Sequence, residues 1–433
     1  MKIPEIIRVR SAHRPGSLAR VLDVIAAAGL VVEGLHAVTR DHLWTTWEIT
    51  LETDESERVD RVLAQLAELP NAAVLGRSDR VFVEHRGGKI EIRSRQPIKT
   101  VERLRDVYTP GVARVCLAIQ ADPERARELT WISRAVAVVT NGTAILGLGH
   151  IGPLAGLPVM EGKAALMAEL AGLSGVPILI DETDPQKVID VVTAIAPSFG
   201  AIHLEDIRAP ECFEIERALV ERLPIPVMHD DQHGTAVVVL AALLGAAQRS
   251  GVDLQGSVVG QIGLGAAGLG ICDLLVKYGV RRVLGADRNP SALERVEALG
   301  GEAADLARVM AECDVVVATT GVKGLIKPEM VREGQIILAL SNPEPEIEPD
   351  VAIQAGARYA TDGKVVNNLL GYPGIFRGAL EAGATRITDA MLIAAAKAIH
   401  ELATGDALVP SPLELVVHER VAAAVSAAAA QAP

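Results

Sequence analysis

Residues 257–287 read SVVGQIGLGAAGLGICDLLVKYGVRRVLGAD, and the fold class turns on them. Ser257–Ile262 is an unbroken apolar run, as expected of a strand buried on both faces. Gly263-Leu264-Gly265-Ala266-Ala267-Gly268 follows, then a helical pattern to about Tyr278, then a second apolar strand at Arg282–Ala286. A lone GxGxxG is weak, but between a strand and a helix it has a mechanical meaning. Gly263 permits the tight turn, Gly265 lets the backbone approach a pyrophosphate, and Gly268 lets helix and strand pack closely. The helix N-terminus beginning at Ala266 and Ala267 faces the phosphates. Asp287 stands 19 positions beyond Gly268, where a carboxylate accepts hydrogen bonds from both ribose hydroxyls. It repels a 2′-phosphate, so NAD is favoured over NADP; Arg288, next in the chain, pulls the other way.

Outward from this unit the pattern continues. Cys313–Ala318 and Gln335–Leu340 read as two more buried parallel strands, Ala236–Gly251 as an Ala/Leu/Val helix, and the tail from Asp389 as helical. Upstream, Ala135–Thr140, Val176–Ile180 and Ala201–Leu204 are apolar strands ending in Gly or acidic loops, with a helix clearest at Lys163–Gly172. Strands alternating with helices predict an α/β architecture. The first 86 residues differ. They read strand–helix–strand–strand–helix–strand: Ile6–Val9, Leu18–Gly29 with Ser17 as N-cap, Leu30–Val38, Trp44–Leu51, Val59–Leu69 and Ala73–Val83, with Glu84–Arg95 as linker. Three domains are expected, at 1–86, 87–235 and 236–433.

Bulk properties exclude several classes. A chain of 433 residues exceeds a single core. A net charge of −13 with only short Lys/Arg clusters argues against nucleic acid. The longest uncharged apolar run, Thr235–Ala247, is too short to span a bilayer. Lys2, Glu5 and Arg8 interrupt the start, so no secretory signal is expected, and Cys116, Cys212, Cys272 and Cys313 form no CxxC pair. Reduced, mostly buried thiols and a cytoplasmic location follow.

Glu205-Asp206 follows the strand Ala201–Leu204, and Asp230-Asp231 follows the apolar run Ile225–Met228. Two acid pairs leaving neighbouring strands converge at one end of a sheet, where they repel unless a proton or cation intervenes. Oxygen ligands suit Mg²⁺ or Mn²⁺; His229 and His233 would admit a softer metal. Adjacent residues of a regular strand face opposite ways, so both members of a pair can ligate only where the strand has already turned. Two solvated acidic loops are the plain alternative.

These residues belong to a larger set: Tyr108–Ala113 (YTPGVA), Pro158–Lys163 (PVMEGK), Leu204–Ile207 (LEDI), His229–Ala236 (HDDQHGTA), Ser341–Glu346 (SNPEPE) and Asn367–Phe376 (NNLLGYPGIF). In this order, from about Leu104 to His400, the chain resembles the malic enzymes, the shorter prokaryotic members in particular. The resemblance implies two α/β domains with the active site in the cleft between them. It also implies oxidative decarboxylation of malate to pyruvate and CO₂ with reduction of NAD(P). By the same resemblance, Glu205, Asp206 and Asp231 hold the metal and Tyr108 is the general acid. Lys163 is the general base, Asp230 orients Lys163 or accepts its proton, and Asn342 and Asn368 hold the substrate carboxylates. Thr320 joins the glycine loop and Asp287 at the coenzyme. A lysine base must be neutral, so the pKa of Lys163 is expected to fall, through burial or a nearby cation. The chain departs from larger members in having Ala144 where an Arg holds malate, and His150 where Asp or Asn is usual.

The N-terminal 86 residues resemble an ACT domain, a ferredoxin-like α+β unit, through the two β–α repeats and the Pro15-Gly16-Ser17-Leu18 turn. That resemblance implies a homodimer or larger even assembly and a small-molecule effector near the first turn. Two other functions fit parts of the chain. An amino-acid dehydrogenase shares the architecture but has no use for four carboxylates. An inactive effector sensor would be expected to lose Tyr108, Lys163 or one of the acids, and all are present.

Overall fold

The computed structural model describes residues 5–53, 56–78, 80–342 and 344–430; Lys2 and Pro343, named above, lie outside them. The chain divides into two compact units, Met1–Lys89 and Ile90–Pro433.

The first unit has strands β1 (Glu5–Ala12), β2 (Val31–Arg40), β3 (Trp44–Glu52) and β4 (Ala72–Arg77), with helices Ser17–Ala27 and Ser56–Ala67. The antiparallel order is β2-β3-β1-β4, the βαββαβ arrangement read from the sequence. Ile7 and Val9 on β1 and Ile49 and Leu51 on β3 alternate onto one face. They bury against Val21 and Ile25 of the first helix and Val59, Val62 and Leu66 of the second. Two local expectations fail. Ser17 is not the N-cap; Gly16 holds that position in a left-handed conformation (φ 79°) that a glycine adopts freely. The last strand stops at Arg77 instead of continuing to Val83, and Arg80–His85 is a short helix. Beyond Arg77, Ser78 N–H still donates to Ile6 O on β1.

The second unit contains two parallel sheets. One is ordered β6-β5-β7-β8, from β5 (Ala135–Thr140), β6 (Ser174–Leu179), β7 (Ala201–Leu204) and β8 (Val227–His229). The other is ordered β11-β10-β9-β12-β13-β14, from β9 (Val258–Ile262), β10 (Arg282–Ala286), β11 (Glu302–Ala304), β12 (Val315–Ala318), β13 (Ile336–Ala339) and β14 (Tyr359–Asp362). That order reverses direction between β9 and β12, the switch point where an open parallel sheet leaves a crevice at its carboxyl edge. The helix Thr235–Ser250 joins the two sheets. Its residues Val237, Leu240 and Ala241 share one core with Val136, Met160, Val259, Phe376 and Val421. The helices Tyr372–Glu381 and Leu415–Ala429 thus return to the first sheet's side of the unit.

The helix bearing Lys163 begins at Pro153, ten residues earlier than expected, and continues to Ala171 through Pro158. Pro153 suits a first helical turn, and Gly156 leaves room for the tip of the Ile145 side chain, which a Cβ there would have to displace. By contrast, the helices Val101–Val107, Val112–Ala121 and Arg125–Leu129 bury no residue, and Val101 and Leu117 are mostly exposed. Cys116 is exposed, because it lies in this segment; Cys212, Cys272 and Cys313 are buried free thiols. Among the described residues, no helix is long and apolar enough to cross a membrane.

Candidate active site

Strand β7 ends at Leu204, and the chain turns at once: Asp206 has φ 53°, a left-handed backbone rare for a residue with a side chain. This turn lets Glu205 and Asp206 face the same way. Strand β8 ends at His229 and passes into a π-turn, Asp230–Gly234, before the long helix. A wider turn of this kind inserts a residue and re-aims its neighbours. Gly234 is needed, because a Cβ there would overlap Asp230 Oδ1.

The two turns meet. Asp231 Oδ2 accepts Asp206 N–H at 3.0 Å, and carboxylate oxygens of Glu205, Asp206 and Asp231 lie within 4.8 Å of one another. Lys163 Nζ donates to Asp230 Oδ2 at 2.5 Å and lies 3.0 Å from Glu205 Oε1. Asn368 Nδ2 donates to the same Asp230 oxygen at 2.6 Å. So Lys163, Glu205, Asp206, Asp230, Asp231 and Asn368, separated by up to two hundred residues of chain, form one cluster at the carboxyl ends of β7 and β8.

Its electrostatics are those of several buried carboxylates brought close together. Burial, then the charges of Asp231 and Glu205, push the Asp206 carboxyl up to about 8. Burial, then Glu205, raises Asp231 as well. Asp206 Oδ2 is buried with no hydrogen-bond partner. Three clustered oxygens, one without a partner, fit a small hard divalent cation. Nearby, Lys163 contradicts the expectation of a lowered pKa. Burial alone would lower it, but the charges of Asp230 and Glu205 outweigh burial and hold the ammonium well above its usual range.

Three neighbours escaped the sequence reading. His203 Nε2 meets Glu205 Oε2 at 2.6 Å, and burial drops its pKa to about 3, so the ring is neutral and donates. Its position two residues before Glu205 on one strand was a usable signal. The Tyr372 ring lies 4.5 Å from Lys163 Nζ, and its buried hydroxyl has no partner; it sits inside the quoted NNLLGYPGIF motif. Glu216, on the helix Glu211–Arg222, accepts from His229 N–H and from the side chains of Gln232 and His233. Nothing in its sequence context marks it.

Of the residues expected at the coenzyme, Gly263, Gly265, Asp287 and Thr320 line a cavity of about 550 Å³, with Ala286, Arg288 and Thr319; Ala266, Ala267 and Gly268 do not line it. A Cβ at Gly268 would strike Gly263 O, so the third glycine serves helix–strand contact as expected. Asp287 Oδ2 accepts Leu264 N–H at 2.7 Å, tying the glycine turn to the end of β10. Thr320 is held through its N–H and hydroxyl by buried Glu346. A second recess is lined by Thr235, Ala267, Thr319, Ser341, Asn367 and Asn368; it shares Thr319 with the first cavity, and its Asn368 is the residue that donates to Asp230. Ala266 begins the helix that carries Ala267. Two expected residues stand apart. Asn342 is exposed and donates to Gly363 O at 3.3 Å. Tyr108, 66% exposed at the end of Val101–Val107, makes no recorded contact with the cluster.

Residues 87–189 match the malic enzyme N-terminal domain, and residues 233–327 match the NAD-binding domain of D-isomer specific 2-hydroxyacid dehydrogenases. The chain is 53% identical to NAD-dependent malic enzyme 1 of Bacillus subtilis, over 98% of this chain and 97% of the relative. It is 42% identical to the NAD-dependent malic enzyme of Geobacillus stearothermophilus, over 95% of this chain and 91% of that one. Among solved structures it is similar to a malic enzyme from Pyrococcus horikoshii, with a TM-score of 0.77 and 40% identity, covering 82% of this chain and 90% of that one.

Proposed function

The chain belongs to the malic enzyme family, and on that premise we propose that it converts malate to pyruvate and CO₂ with NAD as hydride acceptor. The observation that carries this reading is the placement of Lys163 between Asp230 and Glu205, with Asp230 held in turn by Asn368, which lines the recess that shares Thr319 with the Gly263–Thr320 cavity. Glu205, Asp206 and Asp231 would hold Mg²⁺ or Mn²⁺, which when bound polarises the carbonyl formed at C2 and stabilises the charge left as CO₂ departs.

The protein's own groups then divide the proton work. Lys163 and Asp230 act as a pair. Burial, then Glu205's charge set against Lys163's, leaves Asp230 with a raised pKa, and Asp230 Oδ1 is buried without a partner. A proton on Nζ can move along the short bond to Asp230, leaving a lone pair to take the malate hydroxyl proton as hydride leaves C2. Asn368 orients Asp230 from the other side, and Asn342, on the loop after β13, is read as a second carboxylate contact. Tyr108 returns a proton to C3 of the enolate. Because Tyr108 lies on helices that bury nothing, we read the active unit as a homodimer or larger even assembly in which a second copy covers this segment. The three segments 1–86, 87–235 and 236–433 are read as a regulatory, a metal-binding and a coenzyme-binding domain.

The first unit is read as an ACT-like effector module, supported by its βαββαβ order. It also has a recess of about 370 Å³ lined by Ser11, His13, Arg14, Pro15, Thr45 and Trp47. A cytoplasmic location accords with the free buried thiols. The test of the main reading is malate-dependent NADH formation with and without Mn²⁺, on the unaltered chain and on Asp231→Ala. Metal-dependent turnover lost in the folded variant is the expected result; turnover retained by Asp231→Ala at low Mn²⁺ refutes the ligand assignment.

A further inference from the structure

Glu216 has no part in the chemistry above, yet it is 8% exposed and its two oxygens take three donors. Oε1 accepts the backbone N–H of His229 at 2.7 Å. Oε2 accepts Gln232 Nε2 at 3.0 Å and His233 Nε2 at 3.1 Å. These donors are not scattered. His229 is the residue before Asp230-Asp231, and Gln232 and His233 are the two after, so a single carboxylate brackets the acid pair from behind.

We propose that Glu216 is the positioning residue that fixes the Asp230–Gly234 π-turn, aiming Asp231 at the metal-binding carboxylates and Asp230 at Lys163. This rests on the reading of Glu205, Asp206 and Asp231 as metal ligands. A buried carboxylate is costly without donors, and here two donors come from the turn itself, Gln232 and His233, and the third from His229, the residue that enters it. The opposite side of the turn is closed by backbone: a Cβ at Gly270 would strike the backbone of Gln232, so the turn lies directly on the helix Ala266–Tyr278. Between that helix and Glu216 the turn has one seat. The ring of His229 is buried with neither nitrogen hydrogen-bonded, its Nδ1 3.7 Å from Asp231 Oδ2. Loss of an outer partner of a metal-ligand segment typically weakens metal binding by about 10–100-fold.

Glu216→Gln keeps the shape but turns an N–H toward at least one donor that the carboxylate had accepted. The experiment measures Mn²⁺ affinity by the electron paramagnetic resonance of free Mn²⁺, alongside thermal unfolding without metal. It uses the full chain, Glu216→Gln, His233→Leu and Asp231→Asn. Expected is a Mn²⁺ Kd raised at least about tenfold in folded Glu216→Gln, and a smaller rise in His233→Leu, which keeps the carboxylate and two donors. A residue that merely stabilises the fold would lower the unfolding temperature and leave Kd in the folded protein unchanged; that result overturns the proposal. Should Glu216→Gln fail to fold, an unchanged Kd in His233→Leu overturns it equally. Asp231→Asn separates the two readings: if it binds Mn²⁺ as the unaltered chain does, the ligand assignment falls and the proposal with it. If it loses binding while both other variants retain it, only the role of Glu216 falls.

Discussion

Binding of Mn²⁺ should expel close to one proton from the protein at neutral pH, and progressively less as the pH rises through about 8. The perturbation is the metal itself. Asp206 is 5% exposed, and burial with the charges of Asp231 and Glu205 sets its carboxyl at about 8. At pH 7 roughly nine metal-free molecules in ten then carry a proton there, and at pH 9 roughly one in ten. A ligand must be deprotonated to coordinate, so that proton leaves. The apparent Mn²⁺ affinity should therefore rise by about tenfold per pH unit below pH 8 and level off above it. Calorimetry in buffers of different ionisation enthalpy reads the proton count directly, and Asp206→Asn should bind weakly and lose the Asp206 proton. The sign for stability follows from the same shift. A carboxyl whose folded pKa is raised contributes stability that is complete below its unfolded value of about 3.9. It is lost as pH rises through the folded value, so the metal-free protein should unfold at lower temperature as pH climbs toward 8. Added Mn²⁺ should cancel that loss. Affinity that stays flat between about pH 6 and 8, with no buffer dependence of the heat, would refute the reasoning.

Tyr108→Phe should slow malate oxidation more than NADH reduction of a bound 2-keto acid, while Lys163→Ala should impair both; equal losses for Tyr108→Phe contradict the separation. If a second copy supplies Tyr108, co-expressing Tyr108→Phe with Lys163→Ala should restore roughly a quarter of the activity, since half the dimers are mixed and each has one intact site. A mixture as inactive as its parts places Tyr108 in its own subunit. Asp287→Ser should narrow the preference for NAD by removing repulsion of a 2′-phosphate, and should raise the KM for NAD because Leu264 N–H loses its acceptor; NADP preferred by the unaltered chain would overturn this. Deleting residues 1–86 should leave turnover intact and abolish any response to amino-acid effectors. The same response in both forms would remove that unit from control.

The parts legible in the sequence were those with a short-range pattern. The run from β9 through the glycine turn to β10 announces itself because each element is strongly apolar and the turn chemistry is local. The βαββαβ unit was legible for the same reason. β11 and β14 were not, being edge strands of three and four residues whose side chains are only partly buried. The start of the Lys163 helix was hidden by Gly156 and Pro158, which read as breakers but are accommodated by close packing on Ile145. In the site, the acid pairs stood out because adjacent like charges need a reason. Whether both members face inward depended on the φ of Asp206 and on the π-turn, and no composition rule yields those. Glu216 was illegible because a buried carboxylate on an amphipathic helix looks the same as an exposed one until its donors arrive from another element.

The raised pKa of Lys163 bears on the mechanism more than the lowered one expected for it. A lysine deprotonated by desolvation alone would sit neutral in the resting protein and lose its hold on the cluster. Here the ammonium is retained by Asp230 and Glu205. What unlocks it is the withdrawal of one partner. If a cation draws on the charge of Glu205, the remaining balance is between Lys163 and Asp230, two buried groups joined by one short hydrogen bond. Burial favours the neutral pair, lysine amine and aspartic acid, over the ion pair. Proton transfer within the pair changes no net charge, so it needs no solvent to accompany it. We therefore propose that Asp230 is more than an orienting group and that the base function belongs to the pair. That accounts for one aspartate being held at once by Lys163, by Asn368 and by a turn whose glycine leaves no room for another geometry.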